Sequence, residues 1–384
     1  MAAEKNNKTL NVPNLRFPEF CGEWEKVPLS KIATRVTRKN KNNESQLPLT
    51  ISAQYGLVDQ VTFFNKVVAS SDMSNYYLLH RGEFAYNKSY SGDYPWGAIK
   101  RLDRYDQGAL SSLYICFTPT DVIDSDFLVH YFESPKWYRE VSNIAGEGAR
   151  NHGLLNIAVP DFFNTQHCIT TNKTEQRKIA DFLNLINDRI ETQKKVIKDL
   201  KKLKYAISKR VFAEMGQHHP VVKLGQLCSI KTGKLDANAM TDNGEFPFFT
   251  CAREDYRTDT YAFEGDSLLI SGNGDIGIVK RYNGKFNAYQ RTYVLQDFIQ
   301  DIAYVQCFVE HHLPKRVLKE KNVGAMPYIV LSTLSEMPII LPPTCIQNAI
   351  CKTIGAISEQ INVEENILAN FELQKQYNLS MMFI

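Results

Sequence analysis

No stretch of this sequence approaches the 18 or more consecutive apolar residues of a membrane-spanning helix, and Met1 to Leu10 is polar, without the apolar core of a secretion signal. A cytoplasmic protein is expected. The eight cysteines (21, 116, 168, 228, 251, 307, 345 and 351) include no Cys-x-x-Cys pair, so neither a zinc ribbon nor a dithiol redox motif is written here, and reduced thiols are the plain reading. There is no G-x-x-x-x-G-K-[ST] phosphate loop, which argues against a nucleotide-driven motor. The Asp/Asn-Pro-Pro-aromatic tetrapeptide of amino-methyltransferases is also absent; the only Pro-Pro lies in Leu341-Pro-Pro-Thr344. His218-His219 and His311-His312 lack supporting Cys/His spacing, and Glu147, Asp266 and Asp275 sit in turn-like sequence without a paired acid or base. No catalytic residue, no metal and no cofactor is expected on this chain.

What is present is length, a local charge excess and a repeat. At 384 residues, with 43% hydrophobic and 23% charged positions, the chain suits two or three folded domains. The formal net charge of +3 hides its distribution: Lys173 to Arg210 carries 12 Lys/Arg against 5 Asp/Glu. Val27-Pro-Leu-Ser-Lys-Ile-Ala-Thr34 matches Val222-Lys-Leu-Gly-Gln-Leu-Cys-Ser229 at an offset of 195. Gly97-Ala-Ile-Lys-Arg101 matches Gly277-Ile-Val-Lys-Arg281 at 180, and Gly148-Ala149 with Leu155 matches Gly324-Ala325 with Leu331 at 176. At the end of each copy the offset settles at 171. Ile179, Ile186, Gln193, Leu200 and Ile207 hold one heptad position, and Leu183, Ile190, Ile197, Lys204 and Val211 the other. The second copy reads Ile350, Ile357, Glu364, Phe371, Asn378 and Ile354, Ile361, Leu368, Lys375, Met382, with the polar interruptions in register.

A seam of period 3.5 over about 40 residues needs a partner helix, and the other copy is the nearest one. The charges agree, because Thr344 to Ile384 has 2 Lys against 4 Glu. Such helices are about 60 Å long at 1.5 Å per residue, several times the radius of a small domain, so an antiparallel pair is expected. The segments between them read mainly as short strands and turns. They include Ser111 to Phe117, Tyr289 to Leu295 and a hairpin turn at Tyr282-Asn-Gly-Lys285, with helices at Asp126 to Glu140 and Asp301 to Glu320.

The expected fold class is therefore α+β: two globular domains separated by a pair of long antiparallel coiled-coil helices, with a pseudo-two-fold internal repeat. The expected boundaries are 1–172 for the first domain (1–20 a tail), 173–213 for the first helix, 214–343 for the second domain and 344–384 for the second helix. Gly272-Asn-Gly-Asp-Ile-Gly277 is a literal G-x-G-x-x-G, but Ile278-Val279 and an Asn-Gly turn follow it where a nucleotide site needs a helix. A tight loop between strands fits better.

The loops carry residues suited to nucleic acid. Asn87, Lys88, Ser89, Tyr90 and Arg101 in the first copy, with Arg150, Asn151 and His152, face Asn273, Lys280, Arg281, Gln290 and Arg291 in the second. Arg, Lys, Asn and Gln pair with base edges, and Ser, Tyr and Lys suit phosphates, although such residues also occur on any solvated surface. The expected seam is Ile179, Leu183, Ile186, Ile190, Ile197, Leu200, Ile207, Ile350, Ile354, Ile357, Ile361, Leu368 and Phe371.

The order of domain, long helix, domain, long helix, with Thr174-Glu-Gln-Arg-Lys-Ile-Ala-Asp-Phe-Leu183 opening the first helix, resembles the specificity subunit of type I restriction-modification systems. Pro13-Asn-Leu-Arg-Phe-Pro18, Gly92 to Leu102, Ser267 to Arg281 and Ser380-Met-Met-Phe-Ile384 are similar as well. At the second helix start, Thr344-Cys-Ile-Gln-Asn-Ala-Ile350 keeps only Gln347 of the family's Glu-Gln pair. The resemblance implies a non-catalytic reader of double-stranded DNA in which each domain recognises one half of a split, asymmetric target. It implies that the helices set the spacing and dock two methyltransferase (modification) subunits, with an endonuclease/translocase (restriction) subunit as an optional further partner. S-adenosylmethionine and ATP with magnesium would then be bound by those partners. A coiled-coil interaction scaffold without sequence-specific DNA binding is the alternative.

Overall fold

The computed structural model describes residues 10–66, 68–146, 153–216, 218–252, 254, 256–320 and 328–384. Its contacts divide the chain into two compact units, Met1–Thr192 with Leu368–Ile384, and Gln193–Ile367.

In the first unit the strands are β1 (Glu25–Pro28), β2 (Ala33–Arg35), β3 (Pro48–Ser52), β4 (Gly56–Asp59), β5 (Tyr77–His80), β6 (Phe84–Asn87), β7 (Ala98–Arg101), β8 (Gln107–Leu110), β9 (Ile115–Pro119) and β10 (Gln166–Ile169). The helices are α1 (Leu29–Ile32), α2 (Gln60–Phe64), α3 (Ser125–Glu133), α4 (Tyr138–Ile144) and α5 (Val159–Asn164), followed by α6 (Lys173–Met215), which begins here. One sheet has the order β2-β9-β6-β7, a second β4-β3-β8-β5, and β1 pairs with β10 alone. Alternation along β6 explains how the sheets are covered: Phe84 and Tyr86 enter the large core with α3 and Trp137, while Ala85 points to the smaller core beneath the second sheet. The helix expected from Asp126 to Glu140 is broken into α3 and α4 at Ser134-Pro135, because proline cannot donate its backbone hydrogen bond.

In the second unit β11 (Val221–Lys223) pairs with β18 (Pro338–Ile340). Strands β12 (Ser229–Thr232), β13 (Phe246–Phe249), β14 (Tyr256–Thr258), β15 (Phe263–Ser271), β16 (Val279–Ala288) and β17 (Thr292–Gln296) form one sheet of order β12-β17-β15-β16-β13-β14. Helix α7 (Ile302–Glu320) runs through Pro314, α8 (Leu331–Ser335) follows, and α9 (Thr344–Met381) begins here. The registers repeat between the units. Phe84 pairs with Arg101 and Phe117, as Leu268 pairs with Arg281 and Leu295. The parallel step of Leu49 against Leu110 recurs as Phe249 against Ala288. Strand β15 thus corresponds to β5 and β6 together, and β16 to β7 and β8. The expected hairpin turn at Tyr282–Lys285 is therefore corrected: these residues lie inside β16, where Gly284, at φ 147°, pairs with Gly265. The Asn-Gly signal marks the place where the first copy turns and the second runs on. The turn between β15 and β16 is instead Gly272 to Ile278.

The two long helices have 43 and 38 residues and start at the expected Lys173 and Thr344. Each is shared between the units. Asn172 caps α6, its side-chain oxygen accepting from the Thr174 and Glu175 N–H groups at 2.9 and 3.3 Å. In the first unit Ile179, Leu183, Ile186 and Ile190 share a core with Leu379, Met382 and Phe383, with Leu368 and Phe371 half-buried against it. In the second, Ile350 and Ile354 lie in the core with Phe212 and Met215, and Ile197 and Ile361 are buried. Leu200, Ile207 and Ile357 are only half-buried. The polar interruptions have partners: Gln193 donates to the Glu364 carbonyl at 3.0 Å, Lys204 meets Glu310 at 2.8 Å, and Lys375 meets Glu133 at 3.0 Å. The last two occupy the same heptad place in the two helices and bind equivalent partners in the two units.

Two groups in the first unit make its stability acid-sensitive. Burial pushes the Glu133 carboxyl up, but the His130 hydrogen bond and the nearby Lys375, His130 and Lys100 charges outweigh it and hold the group at about 2. Burial alone pulls His167 down to about 4, where it stays neutral between Tyr131 and Thr165. The folded state thus binds fewer protons than the unfolded one, and both contributions fade as pH falls. His167 acts from about 6.5 down to about 4, and Glu133 from about 4.5 toward 2. The melting temperature should drop on acidification from pH 6.5 to 4, and less steeply in His167→Gln; a flat profile over that range would contradict the assignment.

No helix of the described residues is long and apolar enough to cross a membrane. Among those residues no group of three or more His, Cys, Asp or Glu is arranged to hold a metal ion.

Candidate nucleic-acid interface

In each unit the central strand pair ends in a loop that is tied to a segment far along the chain. In the first unit Asn87 closes β6, and its side-chain oxygen accepts from the Ser89 N–H at 3.0 Å. Ser89 bridges to Leu154, Tyr90 N–H reaches the Gly153 carbonyl at 3.2 Å, and Leu155 N–H reaches the Lys88 carbonyl at 2.9 Å. The loop returns at Gly97, whose φ is +77°; a Cβ there would lie 2.1 Å from the Asn87 carbonyl oxygen, so glycine is required. Ser89 and Tyr90 are exposed, and Asn87 and Lys88 half-buried. Arg150, Asn151 and His152 lie outside the described residues.

The second unit repeats the link, with Ile329 N–H donating to the Gly272 carbonyl at 2.8 Å. The β16–β17 turn brings Gln290 and Arg291 beside Gly272, whose N–H donates to the Arg291 carbonyl at 2.9 Å. Both side chains are exposed, and among the described residues neither makes a side-chain hydrogen bond or ion pair. Asn273 and Lys280 are half-buried; Lys280 lies 6.0 Å from the centre of the Phe249 ring.

Two expected contacts are placed otherwise. Arg101 is bound to Asp103 at 2.6 Å, Asp126 at 2.7 Å and the Ser125 hydroxyl at 2.8 Å. Arg281 makes a forked pair with Asp266 at 2.9 and 2.6 Å, and that hydrogen bond raises the guanidinium and lowers the carboxyl pKa. Both arginines are thus paired with carboxylates of their own unit. Gln290 and Arg291, by contrast, have no side-chain partner among the described residues.

A third cluster went unread in the sequence. The Glu175 carboxylate, with its side chain 1% exposed, accepts from Arg16 at 2.7 and 2.9 Å, from the Thr170 hydroxyl at 2.7 Å and from the Trp24 indole at 3.3 Å. The same strap reaches the end of α9, where Leu15 N–H donates to the Met381 carbonyl at 3.0 Å. Gln176 accepts from the Asp124 N–H at 2.6 Å and donates to the Thr170 carbonyl at 2.7 Å. At an offset of 171, Gln347 repeats the second bond to the Pro342 carbonyl at 2.9 Å, while Ile346 stands where Glu175 would be. The Glu-Gln pair of the first helix therefore ties α6 to its own unit, and the second start keeps only the glutamine half of that lock.

Known proteins resemble parts of this chain and its fold. Residues 219–373 match the type I restriction modification DNA specificity domain. Over 140 residues the chain is 34% identical to the type I restriction enzyme EcoDI specificity subunit of Escherichia coli, covering 36% of this chain and 31% of that protein. Over 159 residues it is 29% identical to the MpnII specificity subunit of Mycoplasma pneumoniae, covering 39% and 47%. The matched stretch thus spans about a third to a half of these relatives. In fold, the crystal structure of a type I restriction-modification S subunit from M. genitalium aligns over 97% of this chain and 99% of its own, with a TM-score of 0.60 and 16% identity. The chain is thus similar to type I restriction-modification specificity subunits in part of its sequence and in its fold. The match to the family model falls on the second unit and α9, which include the Gly272 and Arg291 loops.

Proposed function

We propose that this chain is the specificity subunit of a type I restriction-modification system and reads a split DNA target, each unit contacting one half-site through its central loop, without catalysing a reaction itself. The observation that carries the reading is the recurrence of one loop, at the same strand register and with the same distant backbone link, in two units whose loop side chains differ. Asn87-Lys-Ser-Tyr90 in one and Gly272, Gln290 and Arg291 in the other would select different bases, which makes the target asymmetric. The long helices set the distance between half-sites and dock two methyltransferase subunits, and a restriction subunit joins in complexes that cleave. S-adenosylmethionine and ATP with magnesium belong to those partners.

In support of docking, Lys194, Ile197, Lys198, Lys201, Lys202 and Tyr205 of α6 line a groove of about 530 Å³ with an apolar floor and a lysine rim. Such a groove suits an acidic amphipathic helix. Inserting one heptad at matching places in α6 and α9 lengthens the pair by about 10 Å, or about 3 base pairs at 3.4 Å each. Sequencing the methylated sites of that variant should return the same half-sites with a longer gap. An unchanged gap would remove the spacing role, and changed half-site bases would mean that the helices take part in readout. The scaffold alternative requires that the assembled complex bind scrambled DNA as well as its target.

A further inference from the structure

Gly272, Gln290, Arg291, Tyr293 and Ile329 line a cavity of about 270 Å³ in the second unit. Its floor is rigid. Gly272, Tyr293 and Ile329 are buried, and the Tyr293 hydroxyl donates to the Ile329 carbonyl at 2.9 Å, adding to the backbone bonds that join Gly272 to Arg291 and Ile329. Only glycine fits at its edge: a Cβ on Gly272 would lie 2.5 Å from the Arg291 carbonyl oxygen and 3.1 Å from the Tyr293 ring. The first unit has Lys88 at the corresponding link. At the rim stand Gln290 and Arg291, exposed and, among the described residues, without side-chain partners.

We propose that this cavity receives a single nucleobase swung out of the DNA duplex. A stacked base lies flush with the groove and is read by side chains that project into it, whereas a recessed floor is reached only by a group that leaves the stack. The volume suits one ring system. The Tyr293 hydroxyl is already engaged by the Ile329 carbonyl, so a base in the cavity would be read at its edge by the Gln290 amide and the Arg291 guanidinium, which present donors and an acceptor. The proposal rests on the reading of the second unit as a DNA reader, and names how that unit recognises one position.

The test uses the chain assembled with its methyltransferase subunits, on duplexes carrying its methylated target. 2-Aminopurine replaces each purine and pyrrolocytosine each cytosine of the half-site in turn, with permanganate reactivity for thymines. One position other than the methylated adenines should become several-fold more fluorescent, or reactive, on binding, and that gain should be lost in Gln290→Ala and Arg291→Ala. A complex that binds its target in preference to scrambled DNA while every such position stays dark overturns the cavity proposal and leaves the DNA reading intact. A gain that persists in both variants also overturns it. Absence of any preference for the target removes the DNA reading itself.

Discussion

Arg16→Ala should destabilise the first unit by about 3 to 5 kcal/mol, because it leaves the Glu175 carboxylate buried with its charge partner gone. That carboxylate is 1% exposed and gathers four donor contacts from the strap, Trp24 and Thr170. The Glu175 hydrogen bond raises the Arg16 pKa and outweighs the lowering by burial, so the guanidinium stays charged. The loss belongs to the uncompensated charge more than to the pair itself. Replacing both residues with methionine should therefore cost much less than Arg16→Ala alone. Chemical denaturation of the chain and of the two variants measures this. A loss below about 1 kcal/mol for Arg16→Ala would show that the strap is not a clamp.

Arg291→Ala should reduce discrimination at one half-site only, by about 5- to 150-fold, the equivalent of about 1 to 3 kcal/mol for a bidentate base contact. The exposed guanidinium in the β16–β17 turn, without a side-chain hydrogen bond or ion pair among the described residues, is the basis for this expectation. Binding of the assembled complex to duplexes altered in either half separates the outcomes. Equal weakening on all sequences would make Arg291 a phosphate contact, and no weakening would remove it from the interface. Arg281→Ala should instead behave as a stability variant, since its donors are already held by Asp266.

The long helices were legible because a heptad pattern and a local charge excess are properties of neighbouring residues. Their starts at Lys173 and Thr344 and the register of Gln193 with Glu364 follow from spacing alone. The repeat was legible for the same reason, as matched offsets. What stayed hidden depends on contacts between residues distant in sequence. Asp266 meets Arg281 only because β15 and β16 are paired in one particular register, so the arginine read as a free donor. The Tyr282–Lys285 signal failed similarly, since β13 and β15 flank the long strand and carry it past its own turn residues. The Glu175 lock had one sequence trace: Ile346 replaces it in the second copy, and the Pro13 to Pro18 strap precedes only the first.

The central claim is that one chain reads two different half-sites, and sequencing of methylated adenines in DNA modified by this chain with its methyltransferase partners tests it most directly. The account predicts a motif of two unlike blocks separated by a gap of fixed length and unspecified sequence. A single continuous block, or two identical inverted blocks, would contradict it.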